Sequence, residues 1–145
     1  LTKAQREQVR RMFDGRCAYC GDLLPERWHA DHMEPVVRAL LTKRMADGRY
    51  KLVSGDPHYP DRDKFDNFMP ACPTCNISKS SMALEVWRGW LAGHVNSLNA
   101  YHPIYRLAKR YGLIRETGEA VTFYFERVAA ERVEATSSKK VVAIA

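Results

Sequence analysis

The chain has 145 residues, 46% of them hydrophobic and 28% charged, which suits a soluble globular protein with one modest core. No apolar run approaches the ~18 residues of a membrane span and no secretory leader is visible, so an intracellular chain that does not enter membranes is expected. The net charge of +6 and pI ≈ 9.3 favour a polyanionic partner, because Lys and Arg that neutralise phosphates release condensed counterions.

Thr2 and Gln5 have the spacing of a capping box. Val9, Met12 and Phe13 then recur on one face and Gly15 is a natural stop, which predicts a helix over 3–14. Arg6 and Arg10 share a ridge beside that face and Arg11 lies roughly opposite; they read either as solvated cations or as phosphate contacts. Cys17-Ala18-Tyr19-Cys20 follows, with Gly21 allowing a turn in which backbone N–H groups point at thiolates. Residues 27–33 read as a short strand with Trp28, Ala30 and His32 on one face. Pro35 bends the chain, and Val36 and Val37 read as the start of the return strand.

Residues 39–66 read as an insertion. A short helix is expected over 39–46 and a short strand over 50–53. Turn chemistry then fills 54–57 and 59–61, so the segment should be an irregular loop near the functional face. Past the second cysteine pair, Leu84, Trp87, Leu91, Val95 and Leu98 mark one apolar helical stripe over about four turns. Pro103 opens a further helix that Gly112 stops. Residues 121–125 are β-prone after a Thr117-Gly118 turn. Residues 136–140 read as flexible, and 141–145 as a last strand or a disordered end. The apolar helical stripe reads as core, no special role is expected of Trp87 or Trp90, and His29, His94 and His102 read as structural or solvated.

All four cysteines fall into two pairs, Cys17 with Cys20 and Cys72 with Cys75. Each Cys-x-x-Cys turn can bring two thiolates to one ion, and two turns supply the closed tetrahedral sulfur set of a structural Zn²⁺. Such an ion would stabilise a lobe too thin to hold itself by burial. Redox thiols fit less well, since there are two matching pairs and no βαβ pattern, and disulfides need an oxidising compartment.

Cys-Ala-Tyr-Cys-Gly, then His29-Ala30-Asp31-His32-Met33-Glu34-Pro35, then Asp66-Asn67 and Cys72-Pro73-Thr74-Cys75-Asn76-Ile77-Ser78-Lys79 together resemble the HNH endonuclease family in its four-cysteine form, common in phage and mobile elements. The resemblance covers about residues 17–79. It implies an α+β fold: a zinc-stapled, treble-clef-like ββα-metal core over about 15–80, flanked by helices, with a small C-terminal β-prone segment. The layout it implies is a single nuclease domain, 1–145, with the N-terminal helix 3–14, the insertion 39–66 and a helical extension 82–145. By position, His32 matches the general base, Asp31 a ligand of the catalytic metal, Asn67 the residue that steadies the loop, and Asn76 the second metal ligand. That makes an H-N-N variant. Lys79 matches a basic position near the phosphate. The stretch from His32 to Asn67 is long for the family, which leaves His58, Asp63 and Asp66 as additional site candidates.

Elementary chemistry agrees with these roles. An imidazole with an ordinary pKa near ~6.5 can take a proton from water at neutral pH. A hard divalent cation, Mg²⁺ or Mn²⁺, relieves phosphate charge and binds well through one carboxylate and one amide oxygen. Adjacent strand residues face opposite sides, so Asp31 and His32 can share a pocket only if the backbone is irregular over 31–34. The expected activity is hydrolysis of DNA, one strand per binding event. Lys79, Arg6, Arg10, Arg11 and the cluster Arg106, Lys109 and Arg110 are the expected backbone contacts, in a monomer or homodimer working inside a host cell. The alternative is a non-catalytic four-cysteine zinc module that binds nucleic acid or protein.

Overall fold

A computed structural model describes residues 1–142, with side chains followed through Ser137. The chain is mixed α and β, with two small two-stranded sheets, and divides into two compact units, Leu1–Ala83 and Leu84–Ala145. No helix among the described residues is long and apolar enough to cross a membrane.

In the first unit, helix α1 spans Lys3–Arg11. The capping box is present in full: Thr2 Oγ1 accepts from Gln5 N–H at 3.2 Å and Gln5 Oε1 accepts from Thr2 N–H at 2.9 Å. The helix stops short of residue 14 because Asp14 and Gly15 both take the left-handed backbone. Val9 is fully buried.

Strand β1, His29–His32, pairs antiparallel with a strand at Phe68–Ala71, from His29 opposite Ala71 to His32 opposite Phe68. The return strand therefore lies some thirty residues later than Val36 and Val37 on a ~30-residue detour. Val37 sits at φ 41°, a conformation a β-branched residue cannot carry through a strand.

The detour is a hairpin with a register shift near Arg38: the helix expected over 39–46 is a strand, the strand expected over 50–53 is present, and it continues through the expected turn to Pro57. Strand β2, Arg38–Arg44, pairs with β3, Tyr50–Pro57, in register from Leu40 opposite Ser54 to Arg44 opposite Tyr50. The missed signal is Asp47-Gly48, a strong local cue for reversing two strands. Gly48 sits at φ 83°, Met45 N–H donates to the Arg49 carbonyl at 2.7 Å, and Asp47 Oδ1 accepts from Arg49 N–H at 3.0 Å. The strand at 68–71 is β4. It leads into helix α2, Pro73–Lys79, whose N-cap is Cys72.

In the second unit the single long stripe is broken. Helix α3 covers Leu84–Ala92 and α4 covers His94–Tyr101, so of the stripe only Trp87 is buried. Helix α5, Pro103–Arg110, matches the expectation, with Gly112 at φ 72° ending it. The β-prone run at 121–125 is not a strand. Phe123 is buried and stacked on Trp87, ring centroids 5.0 Å apart, and Glu126 caps its N–H at 2.9 Å. Helix α6 therefore starts at Tyr124 and runs to Val142, through the stretch expected to be flexible. The expected last strand lies outside the described residues beyond 142.

Candidate functional site

The cysteine pairs meet as the spacing requires. The Sγ atoms of Cys17, Cys20, Cys72 and Cys75 all lie within 4.8 Å of one another, and Cys20 and Cys72 are 3.9 Å apart. Metal–sulfur bonds of ~2.3 Å in a tetrahedron put sulfurs ~3.8 Å apart, so the four thiols form a cluster that can hold a metal ion. A disulfide needs ~2.05 Å between sulfurs, and all four cysteines are free.

The first turn is closed by backbone. Gly21, at φ 84°, donates to the Cys17 carbonyl at 2.9 Å, and Cys17 N–H donates to the Asp22 carbonyl at 2.8 Å. The Gly21 N–H thus serves a carbonyl rather than a thiolate. The N–H groups that reach sulfur include Cys72 to Cys17 at 3.3 Å and Cys75 to Cys72 at 3.4 Å. The charge is shared unequally. A hydrogen bond from Cys75, helped by backbone N–H groups, holds the Cys17 thiol down at about 4, while burial pushes Cys20 up to about 12. Cys75 is pushed up too, first by that same bond to Cys17. The cluster thus favours negative charge on Cys17, and a bound cation would favour loss of protons from all four thiols.

β1 carries Asp31 to a nearly buried position and His32 to a partly exposed one, and both border one cavity. The strand is regular through His32 and irregular only from Met33, so the irregular backbone expected at Asp31 and His32 is absent, which counts against Asp31 as a metal ligand. Asp31 is nearly buried. Its Oδ2 accepts from the Tyr19 hydroxyl and faces Lys79 Nζ at 3.0 Å. Burial, with the Asp31 charge beside it, pushes the Tyr19 phenol well above its usual range, so it stays a donor.

Lys79 is 0% exposed and also donates to the His32 carbonyl at 2.7 Å. A fully buried ammonium needs such partners and cannot reach a phosphate at the surface. The expected phosphate contact at Lys79 is therefore corrected: it neutralises Asp31 and fixes the end of β1.

His32 is partly exposed, packed 4.4 Å from the Phe68 ring. Its Nε2 lies 3.0 Å from Asp63 Oδ1, and Asp63 Oδ2 accepts from Arg38 at 3.0 Å. That hydrogen bond to His32, then the His32 and Arg38 charges, hold the Asp63 carboxyl below its usual range. A carboxylate is an acceptor, so Nε2 is the nitrogen that donates to Asp63; in the neutral form of the ring Nδ1 then carries the lone pair.

Asp63 was only one of three candidates in the detour. His58 and Asp66 are exposed and make no side-chain hydrogen bond to His32 among the described residues. Asn67 is buried and acts as a clamp. Its Oδ1 accepts from Glu34 N–H at 2.9 Å, and its Nδ2 donates to the carbonyls of Glu34 and Arg62, both at 2.8 Å. This pins the chain leaving β1 to the turn preceding β4.

Asp31, His32, Arg38, Leu40 and Ser80 are among the residues bordering a cavity of ≈ 370 Å³. Val37 and Ser80, two non-glycine residues held at positive φ, both border it. Such local strain concentrates at sites that need a fixed geometry. Asn76 is half-buried in the first turn of α2, directly after Cys75, and is not among the residues bordering the cavity.

The N-terminal arginines divide. Arg6 is drawn inward, donating to the Trp28 carbonyl with its guanidinium 4.2 Å from that ring. Arg11 pairs with Glu7 at 2.8 Å on the surface and Arg10 is half-exposed. In the second unit, Arg106 donates to the carbonyls of Asn99 and Ala100, and Lys109 pairs with Glu116 at 2.7 Å.

Compared with family models, with curated proteins and with solved structures, the chain finds no match.

Proposed function

We propose that the chain is a metal-dependent endonuclease of the HNH type that hydrolyses phosphodiester bonds in DNA, with His32 as general base and a structural Zn²⁺ on Cys17, Cys20, Cys72 and Cys75. The observation that supports this most is the chain Arg38–Asp63–His32, with both links at 3.0 Å and its two ends, His32 and Arg38, bordering the cavity. It ties one nitrogen of a partly exposed imidazole to Asp63, and in the neutral ring the other nitrogen can take a proton from water. A zinc module that only binds has no use for an imidazole so oriented.

Asp31, which borders the cavity, would offer an oxygen to the catalytic cation, and a carboxylate suits Mg²⁺ or Mn²⁺. Asn76 does not border that cavity, so its share in the ion rests on the resemblance alone. When bound, the ion would supply charge relief on the phosphate and on the departing 3′ oxygen. Asp31 already has Lys79 as its counter-charge on Oδ2, so a cation must approach this carboxylate from its other side. Asp63 is a positioning residue: it fixes the tautomer and direction of His32 and does not touch the phosphate. With His32 taking its proton, water attacks phosphorus as the bond to the 3′ oxygen breaks and that oxygen leaves to be protonated by solvent, giving 5′-phosphate and 3′-hydroxyl ends, the products the resemblance implies.

The test is nicking of supercoiled plasmid by purified protein with Mg²⁺ or Mn²⁺. His32→Ala should lose about 10²–10⁴-fold in rate, the usual contribution of a general base. Asp63→Ala should lose about tenfold in kcat with KM little changed, since it removes orientation and no substrate contact. Equal nicking by wild type and His32→Ala would assign the activity to a contaminant and end the nuclease proposal.

A further inference from the structure

The β2–β3 hairpin packs on no other helix or strand to any comparable extent, and most of both its faces is open to solvent. An isolated two-stranded hairpin is marginal in water, so an arm of this kind is expected to gain order from a partner. Its chemistry says which. Residues 38–57 carry five cations, Arg38, Lys43, Arg44, Arg49 and Lys51, against two carboxylates, Asp47 and Asp56. Half of the chain's net charge of +6 therefore sits in this segment.

Arg38 is taken by Asp63 and Arg49 lies near Asp47. Lys43, Arg44 and Lys51 are exposed and have no ion-pair partner among the described residues. Lys43 and Lys51 also stand directly opposite each other in the ladder. Like charges in that position are destabilising unless an anion lies between them. The other face places Arg44 beside Tyr50, with Leu52 and Leu40 following at alternate positions, all exposed. Leu40 and Arg38 border the His32 cavity, so this face runs on from the site.

We propose that this hairpin is a duplex-DNA arm, with Lys43, Arg44 and Lys51 on phosphates while His32 faces the scissile bond. The inference rests on the nuclease proposal for the choice of polyanion. Two strands ~4.8 Å apart fit the ~12 Å major groove as a ribbon. At ~3.4 Å per residue, Lys43 lies about 17 Å along the strand from Arg38. The arm therefore holds DNA well away from the bond being cut.

The experiment is binding of a labelled 30-base-pair duplex across a KCl series, without added Mg²⁺ or Mn²⁺, for wild type and for Lys43→Gln/Arg44→Gln/Lys51→Gln. Each phosphate contact adds about 0.9 to the slope of log affinity against log salt. The triple variant should therefore lose about 2.7 from that slope, with affinity down roughly tenfold or more. Lys43→Gln/Lys51→Gln should lose about 1.8 and, with the like-charge pair gone, fold at least as well as wild type. An unchanged slope in both variants, or no binding by wild type, overturns the arm. So does a wild-type dimer that the variants dissociate while the slope stays fixed, because the face then meets a second copy. Plasmid nicking by wild type is scored separately, so the arm can fail while the nuclease stands.

Discussion

The two units solve the problem of a small core in different ways. In the first, Val9, Leu24, Trp28 and Val36 are buried along with Cys17, Ala18, Tyr19 and Ala71, and four thiols converge. In the second, the buried residues are Trp87 and Phe123, stacked on each other, and the rest of the helices are largely open. One unit has a thiol cluster that could hold an ion; the other has the stack of Phe123 on Trp87 and the Arg88 bonds to Glu126 and the Val121 carbonyl. The chemistry-bearing side chains His32, Asp31, Asp63 and Asn67 all belong to the first unit, where each is fixed by named partners. A site needs that kind of support from neighbouring groups.

The sharpest way to test this contrast is to take the metal away. Structural zinc in small domains is worth about 10–16 kcal/mol of apparent folding free energy. Chelation, or Cys72→Ser, should therefore unfold residues 1–83 while the amides of α3 and α6 keep their protection from hydrogen exchange. Cys72 serves twice, as a thiol of the cluster and as the N-cap of α2. If the first unit keeps its protection when stripped of metal, the ion is not what holds it together, and the comparison fails.

What could be read from the sequence follows the same line. The cysteine cluster was legible because ligand spacing within a turn is local chemistry, and the capping box at Thr2 and Gln5 was legible for the same reason. The Asn67 clamp was legible only through the resemblance. At β2 the apolar pair Leu40 and Leu41 between basic residues fits a helix as well as a strand, and only the Asp47-Gly48 reversal, with the strand-like run at 50–53 after it, marks a hairpin. Asp63 is one of three candidates in the long detour, and nothing local singles it out from His58 and Asp66, because its partner His32 is thirty-one residues away. Lys79 was misread as a surface charge because nothing in its neighbours announces that Asp31 and the His32 carbonyl will meet it in the interior. Residues 121–125 have strand-like side chains, but the stack of Phe123 on Trp87 and the Glu126 cap override that propensity.

The second unit should respond in the opposite way. Trp87 is 2% exposed and stacks on Phe123. Removing a buried aromatic of this size usually costs about 3–5 kcal/mol. Trp87→Ala should thus lower the urea midpoint of residues 84–142 sharply, or unfold them at 25 °C. Metal content and the hydrogen-exchange protection of β1 and β4 should be retained. Loss of metal from this variant would mean that the two units do not hold their structure by separate means.

The smallest effect separates the units by pH. Arg88 donates to Glu126 and to Glu85, and also to the Val121 carbonyl at 2.6 Å, tying α3 to the start of α6. The bond from Arg88 holds the Glu126 carboxyl below its usual range, against burial that raises it. A depressed carboxyl stabilises the fold above the unfolded-state value of ~4.3, and that contribution fades as pH falls through the lower folded-state value. The pair is partly exposed, so it is worth about 1 kcal/mol or less. The metal cluster feels acid sooner, because its thiolates must stay deprotonated to bind and the reference thiol value is ~8.5. On lowering pH, metal release and loss of protection in β1 and β4 should come first. A small further drop in the stability of α3 and α6 should follow below about pH 4, absent in Glu126→Gln. If the second unit weakens at the pH of metal release and Glu126→Gln leaves that unchanged, the Arg88 bond is not its acid-sensitive element.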